Sequence, residues 1–236
     1  MTIAPRPSAT VLVLRDEPLE VLMLRRSSGG SFPGAVVFPG GVVETADGDP
    51  AWGDLVSGAA GLSPEQMAVR IAAIRETWEE AGVLLCHPGA TPRPGEGMSF
   101  IDVVRATGSR LALDELHYFA RWVTPVDRAR RFDTRFYVTA MPAEQTAVSD
   151  GTEMVGLEWV TPQLALRRDR TGEQPLMTPT RLNLERLAES ADAASAFAAA
   201  DARERFIVRP RTARDPDGSD RVVIPARAGY RTEPEG

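Results

Sequence analysis

The 236 residues are 43% hydrophobic and 25% charged, an ordinary globular balance with enough length for a sizeable core. The net charge of −6 argues against a nucleic-acid or anionic-membrane partner. All 27 basic residues are arginine, which fits codon bias in a GC-rich genome better than a need for guanidinium groups.

In chain order, MTIAPRPSAT lacks the positive and apolar regions of a signal peptide. The apolar runs Val11–Leu14 and Val21–Leu24, split by RDEPLE, predict a β-hairpin. Residues 25–34 read as a loop, and 35–38 as a short strand ending in Pro39–Gly40–Gly41. Residues 45–62 lack periodicity and read mainly as an inserted loop, with Trp52 as its packing anchor. Ser63, Pro64 and Gln66 form a helix-start signal with a capping box, and Gly82 supplies a left-handed stop. Residues 88–97 are turn-rich, and 99–107 predict a short helix. Strands are expected over 116–123, 132–139 and 155–160, with Trp122 and Trp159 in the core. Helices are expected over 162–168 and, as one piece, 180–200. Residues 205–236 read as an extended tail, whose Pro-, Arg- and Gly-rich part from 209 wraps the surface. The interleaved elements predict an α/β fold, with helices flanking a mixed sheet and no interdomain linker, so one domain over 1–236.

Cys86 is the only cysteine, which rules out an intrachain disulfide and suits a reducing compartment. With only His87 and His117 beside it, a zinc site is not expected. No apolar run reaches the ~18–20 residues that span a bilayer. The C-terminal TEPEG is not a peroxisomal address, so the cytoplasm is the expected compartment.

The stretch RIAAIRETWEEAGVLL places Glu76, Glu79 and Glu80 within five positions. At ~100° per residue, Met67, Ile71, Ile74, Trp78 and Ala81 form one apolar stripe facing the core, and the three carboxylates share the opposite side. Arg75 lies one turn before Glu79 and can hold its rotamer. Taken alone, this helix fits a solvated charged face, where repulsion costs only ~0.2–0.5 kcal/mol per pair. It equally fits a face that binds a hard divalent cation through oxygen ligands.

The stretch FPGGVVETAD, residues 38–47, joins tandem glycines to Glu44 and Asp47. Together with RETWEEAG it resembles the Nudix hydrolase family, whose box runs G-x5-E-x7-R-E-U-x-E-E-x-G-U, U being bulky and apolar. Gly41 matches the first glycine, and Arg75, Glu76, Glu79, Glu80, Gly82 and Val83 match the second half. Asp47 stands at the first glutamate and Thr77 at the first U, and residues 48–74 replace a spacer of seven with 27. The box is thus split into 41–47 and 75–83, with 48–66 holding the insertion and the helix start. The stretches RWVTP, RRFDTRFYVTAMP, EWVTP and VVIPARAGY extend the likeness to a coenzyme A-directed branch over residues 8–230. Arg26, Ser27 and Gly34 fit that branch, although Phe32–Pro33 replace a polar position.

The resemblance implies an α/β/α Nudix sandwich with a mixed sheet, an insertion inside the box and additional C-terminal helices. It implies Mg2+ or Mn2+ held by Glu79 and Glu80, with Glu76 a ligand or the general base. Arg75 would orient Glu79, the Gly40 carbonyl would be a further ligand, and Gly41 would lie against the substrate. A distal carboxylate often assists in this family; Glu153 is the candidate and Glu144 the second. Arg25, Arg26 and Arg135 are candidates for bidentate contacts to phosphates. The expected substrate is coenzyme A or a related small nucleoside-diphosphate compound. An ADP-ribose or NADH diphosphatase is the alternative enzyme, and a nucleotide sensor without turnover the alternative class. The intact glutamate set opposes the sensor. The Ala-rich helix and Pro-rich tail would suit a homodimer.

Overall fold

The apolar runs of the first hairpin have no polar alternation, which requires cover on both faces of the sheet. The computed structural model, which describes residues 3–29, 33–89, 97–215 and 220–231, shows that cover. Strands β1 (Arg6–Arg15) and β2 (Glu20–Arg26) pair antiparallel. Leu12, Leu14, Val21 and Met23 enter one core, while Val11, Val13, Leu22 and Leu24 enter the other. Arg25 and Arg26 belong to β2 and not to the loop expected there. Two short strands follow, β3 (Val36–Val37) on β2 and β4 (Gly40–Val42) on β1. β4 was not expected from a glycine pair; its partner strand lies about 30 residues earlier.

The insertion is more ordered than a loop. It forms 3-10 turns at Thr45–Gly48 and Pro50–Leu55, then β5 (Val56–Ser57). Trp52 is its anchor as expected, buried with its ring 5.5 Å from Phe100 and its Nε1–H donated to Ala46 O at 2.9 Å. Helix α1 (Pro64–Ala81) starts and stops at the expected signals. The Ser63 and Gln66 side chains exchange the two capping-box bonds, and Gly82 ends the helix at φ +66°. β6 (Cys86–His87) follows, then α2 (Phe100–Thr107), capped by Ser99. The turn-rich segment lies mostly outside the described residues.

β7 (Arg110–Ala112) joins β5 and β6 in a small sheet. β8 (His117–Val123), β9 (Phe132–Ala140) and β10 (Met154–Val160) fall where strands were expected. β9 runs parallel to β1 from Arg6↔Phe132 to Leu14↔Ala140. The C-terminal region differs most from expectation. After α3 (Pro162–Arg170), the single long helix is two, α4 (Thr178–Leu187) and α5 (Ala193–Ala202). The break lies where Asp192 and Ser195 make a capping box that starts a new helix. The tail contains β11 (Ile207–Val208), parallel to β8, and a hairpin of β12 (Arg211–Arg214) and β13 (Asp220–Val223).

The main sheet has the order β10-β2-β1-β9-β8-β11, with β3 and β4 attached to β2 and β1. One core joins the sheet to α1, α2 and the insertion; the other joins it to α3, α4, α5 and the tail. This is the expected α/β/α arrangement around a mixed sheet. Trp122 is core, but Trp159 is only half-buried, with the Arg15 guanidinium 4.6 Å from its ring centre. No helix among the described residues is long and apolar enough to cross a membrane.

Candidate active site

The helical wheel placed the three carboxylates opposite the core, but burial on α1 extends beyond the expected stripe. Met67 and Trp78 of the expected stripe are only half-buried, whereas Arg75 and Glu80 are 5% and 3% exposed. The carboxylate side faces β4 and the insertion. Of the three carboxylates only Glu79 is exposed, so this is not a uniformly solvated face.

Arg75 organises the cluster. Its Nε and Nη2 donate to the two oxygens of Asp47 at 2.9 and 3.1 Å. Nη1 donates to Glu76 Oε1 at 2.9 Å and to Glu79 Oε2 at 2.8 Å, and Nη2 also donates to Val42 O at 3.0 Å. A guanidinium has five N–H donors, and these five contacts use them all. Burial opposes the charge of Arg75, but the Asp47 hydrogen bond and the surrounding carboxylates outweigh it and raise its pKa. The i,i+4 reading caught the Glu79 contact and missed Asp47, which is 1% exposed and sits in the 3-10 turn Thr45–Gly48, at the end of the first half of the box. Its place at the first acidic position of the split box was the available signal.

Close backbone approach at the tandem glycines is real, and the group that approaches Gly41 is Glu76. A Cβ on Gly41 would lie 2.3 Å from Glu76 Oε1. Gly40, at φ +155°, donates its N–H to Glu80 Oε2 at 2.9 Å. A Cβ there would lie 2.3 Å from Ala9 O. Thr77, where the family pattern has a bulky residue, satisfies its buried hydroxyl on Ala73 O at 2.7 Å.

The carboxylates are held in an environment that resists their charge. Burial pushes the Glu80 carboxyl up to about 8, opposed by the Gly40 N–H and reinforced by Glu76. Burial likewise pushes Glu76 up to about 7 against the pull of Arg75, with Glu79 adding repulsion. Glu79 is raised by burial too, again against Arg75.

The structure brings Arg26 and Glu153 to this cluster. Arg26 Nη1 lies 3.9 Å from Glu80 Oε1, and Nη2 is paired with Glu153 Oε1. Glu153 is set by its neighbours: Ser27 N donates to its carbonyl at 2.8 Å, and Asp150 Oδ1 accepts its N–H at 2.8 Å. Asp150 also accepts from Thr152 and Met154, and Gln145 clamps both backbone groups of Leu84 just beyond α1. These supporting residues have no motif that marks them in the sequence. Glu144 is exposed.

Two of the expected phosphate contacts lie elsewhere. Arg25 alternates with Arg26 along β2 and lines a cleft on the other face with Met23, Val36, Glu158 and Gln174. Arg135 donates to Glu65 Oε1 at 2.6 Å. Glu65 is in the first turn of α1, about 16 Å of helix before Glu76 at ~1.5 Å per residue.

The donor set suits a hard divalent cation: carboxylate oxygens, crowded and desolvated, beside a backbone turn with room for no side chain. Among the described residues no three acidic, histidine or cysteine side chains form a ready-made ligand cluster, because Glu76 and Glu79 turn onto Arg75 and Glu80 onto Gly40. A family model described as the NUDIX domain matches residues 4–179. The chain belongs to the Nudix family. Nudix hydrolases generally use divalent metals such as magnesium or manganese. Two relatives named acyl-coenzyme A diphosphatase NUDT19, from Gallus gallus and Homo sapiens, are each 31% identical to this Nudix chain, over 229 and 246 residues. The alignments take in 71% and 79% of this chain, which spans 61% and 66% of those relatives' own length. A crystal structure of a NUDIX hydrolase from Alicyclobacillus acidocaldarius matches with TM-score 0.68 and 29% identity, covering 84% of this chain and 97% of that one.

Proposed function

We propose that this Nudix chain, as one domain, is a metal-dependent hydrolase that cleaves the diphosphate of coenzyme A or an acyl-coenzyme A. The observation that carries the reading is the Glu76–Glu79–Glu80 cluster hung on Arg75 and Gly40, with Glu80 buried, Glu76 half-buried and Glu79 open to solvent. The names of the 31% identical relatives supply the substrate class.

Glu79 and Glu80 are assigned as metal ligands, with Glu76 a ligand or the base, and Gly40 contributes backbone at the same place. A bound Mg2+ or Mn2+ would screen the diphosphate and lower the pKa of a water. Arg75 fixes Glu76 and Glu79 before the substrate arrives, which keeps reorganisation out of the reaction. The proton of the attacking water goes to Glu76 or to Glu153, the carboxylates on either side of Glu80. Arg26, between Glu80 and Glu153, is placed to meet a phosphate oxygen with its guanidinium. Gly41 leaves space for Glu76 at that point. Water adds across one P–O–P bond, so coenzyme A gives 4′-phosphopantetheine and 3′,5′-ADP. The cytoplasm is the compartment we assign, on the single buried thiol of Cys86.

The test incubates the chain and magnesium with coenzyme A, an acyl-coenzyme A, ADP-ribose and NADH, followed by product analysis. The two coenzyme A fragments support the reading. Turnover of ADP-ribose or NADH alone would move the substrate class, and binding without products would remove the enzyme.

A further inference from the structure

The segment 141–153 joins β9 to β10 and carries Glu153 to the carboxylate cluster. It is first tied to the end of α1. The Gln145 side-chain amide accepts from Leu84 N at 2.8 Å and donates to Leu84 O at 2.7 Å, and Val148 N donates to Ala81 O at 2.9 Å. Ala81 ends α1, so its carbonyl has no acceptor role left inside the helix. The helix that bears Glu76, Glu79 and Glu80 thus anchors the start of the segment.

Asp150 sets the rest of it. Its Oδ1 accepts from Glu153 N at 2.8 Å, from Met154 N at 3.1 Å and from Thr152 Oγ1 at 2.9 Å, and Thr152 N donates to the same oxygen. Gly151, at φ +74°, lets the chain turn around the carboxylate. Burial would push the Asp150 carboxyl up, but the backbone donors and the Thr152 hydroxyl hold it below the ordinary carboxylate range, so these bonds are charge-assisted. Their effect on Glu153 is selective. Asp150 holds its N–H, and Ser27 N donates to its C=O at 2.8 Å. The Glu153 side chain, in contrast, is 59% exposed and paired with Arg26. Glu76 is built the other way, with its carboxylate itself held by Arg75. A carboxylate that must meet Arg26, a phosphate or a water in turn needs a free side chain on a fixed stem.

We propose that Asp150 is a positioning residue for the hydrolysis: its carboxylate fixes the Glu153 backbone so that the Glu153 side chain reaches the space beside Arg26 and Glu80. The inference rests on the hydrolase reading, with Glu153 serving at the reacting diphosphate. Reach matters more than charge here, because all four bonds converge on one oxygen of a carboxyl that is a single methylene from the main chain.

The experiment measures kcat and KM for coenzyme A with magnesium, and amide hydrogen exchange at Thr152, Glu153 and Met154 by NMR in the metal-free full chain. Asp150→Ala is expected to lower kcat about tenfold or more, with KM within about twofold of the parent. Asp150→Asn keeps an acceptor at the same reach and is expected to retain kcat within about threefold. Asp150→Glu keeps the charge but moves the oxygens outward, and is expected to fall as Asp150→Ala does. In a Glu153→Gln background Asp150→Ala should cost nothing further, because it acts through Glu153. The three amides should exchange about tenfold faster in Asp150→Ala and at the parent rate in Asp150→Asn. An unchanged kcat in Asp150→Ala, a loss that Asn does not rescue, or an undiminished further loss in the Glu153→Gln background would each overturn the proposal. If Asp150→Ala does not fold, the contrast between Asn and Glu decides it. A parent chain that cleaves no diphosphate would fail the hydrolase reading instead. Exchange then decides whether Asp150 fixes Glu153: faster amides in Asp150→Ala support it, and equal rates overturn it.

Discussion

Replacing Asp47 by Asn tests the claim that the first half of the split box holds the carboxylate helix through one buried ion pair. The amide oxygen can still accept from Arg75 Nε, but the amide NH2 then meets the Nη2 donor that Asp47 Oδ2 accepts at 3.1 Å. Removing one partner of a buried pair costs about 3–5 kcal/mol. Arg75 keeps Glu76 and Glu79, so the lower end applies: about 3 kcal/mol, or roughly 6–12 °C in Tm at ~2–4 °C per kcal/mol. Urea unfolding in chelator is the assay, because a bound metal would mask the loss by mass action. A double-mutant cycle with Arg75→Met separates the pair from the cost of each side chain. Turnover should fall as well, since Glu76 and Glu79 share the loosened guanidinium. An Asn variant within about 0.5 kcal/mol of the parent, the usual range for a surface change, or a coupling near zero would refute the reasoning.

The two glycines separate stability from activity. Gly41→Ala pushes the flexible end of Glu76, so turnover should drop at least tenfold with little change in Tm. Gly40→Ala drives a Cβ into the β1 backbone at φ +155° and should cost about 1–3 kcal/mol in urea unfolding. Equal effects of the two would contradict these roles. Glu76 and Glu80 give a pH dependence with a definite sign. Their folded pKa values, about 7 and about 8, lie above the ordinary 4.5, so the stability they add is complete below 4.5 and lost as pH rises through 8. Metal-free protein should therefore lose Tm from pH 5 to 8; a rise across that window would count against buried carboxylates. Finally, Glu76→Gln and Glu153→Gln assign the base. The variant that lowers kcat by about 100-fold with unchanged metal affinity has lost it.

Much of the scaffold was legible because its signals are local. Ser63, Pro64, Gln66 and Gly82 fix α1 without reference to the rest of the chain, and the apolar runs mark the long strands. The Asp192–Ser195 box that splits the last helical region was equally local, but the Ala-rich run around it masked the break. β4 was hidden because a Gly-Gly-Val strand has no propensity of its own and exists only by pairing with β1. The tail hairpin is a similar case, two polar strands that pair only with each other. In the site, the carboxylates and Arg75 followed from spacing on one helix. The contacts that decide the rest span long separations: Asp47 to Arg75, Glu153 to Arg26, and Arg135 to Glu65. The last of these takes Arg135 away from the carboxylates, and no local pattern around β9 could show it. Strand alternation places Arg25 and Arg26 on opposite faces, but only once β2 is known to run through both.

The most direct test follows coenzyme A cleavage by the parent chain and by Glu80→Gln, each with magnesium and with excess chelator. The account predicts 4′-phosphopantetheine and 3′,5′-ADP from the parent with magnesium, and near-complete loss in the variant and in chelator. Full turnover by Glu80→Gln, or turnover indifferent to chelator, would contradict it.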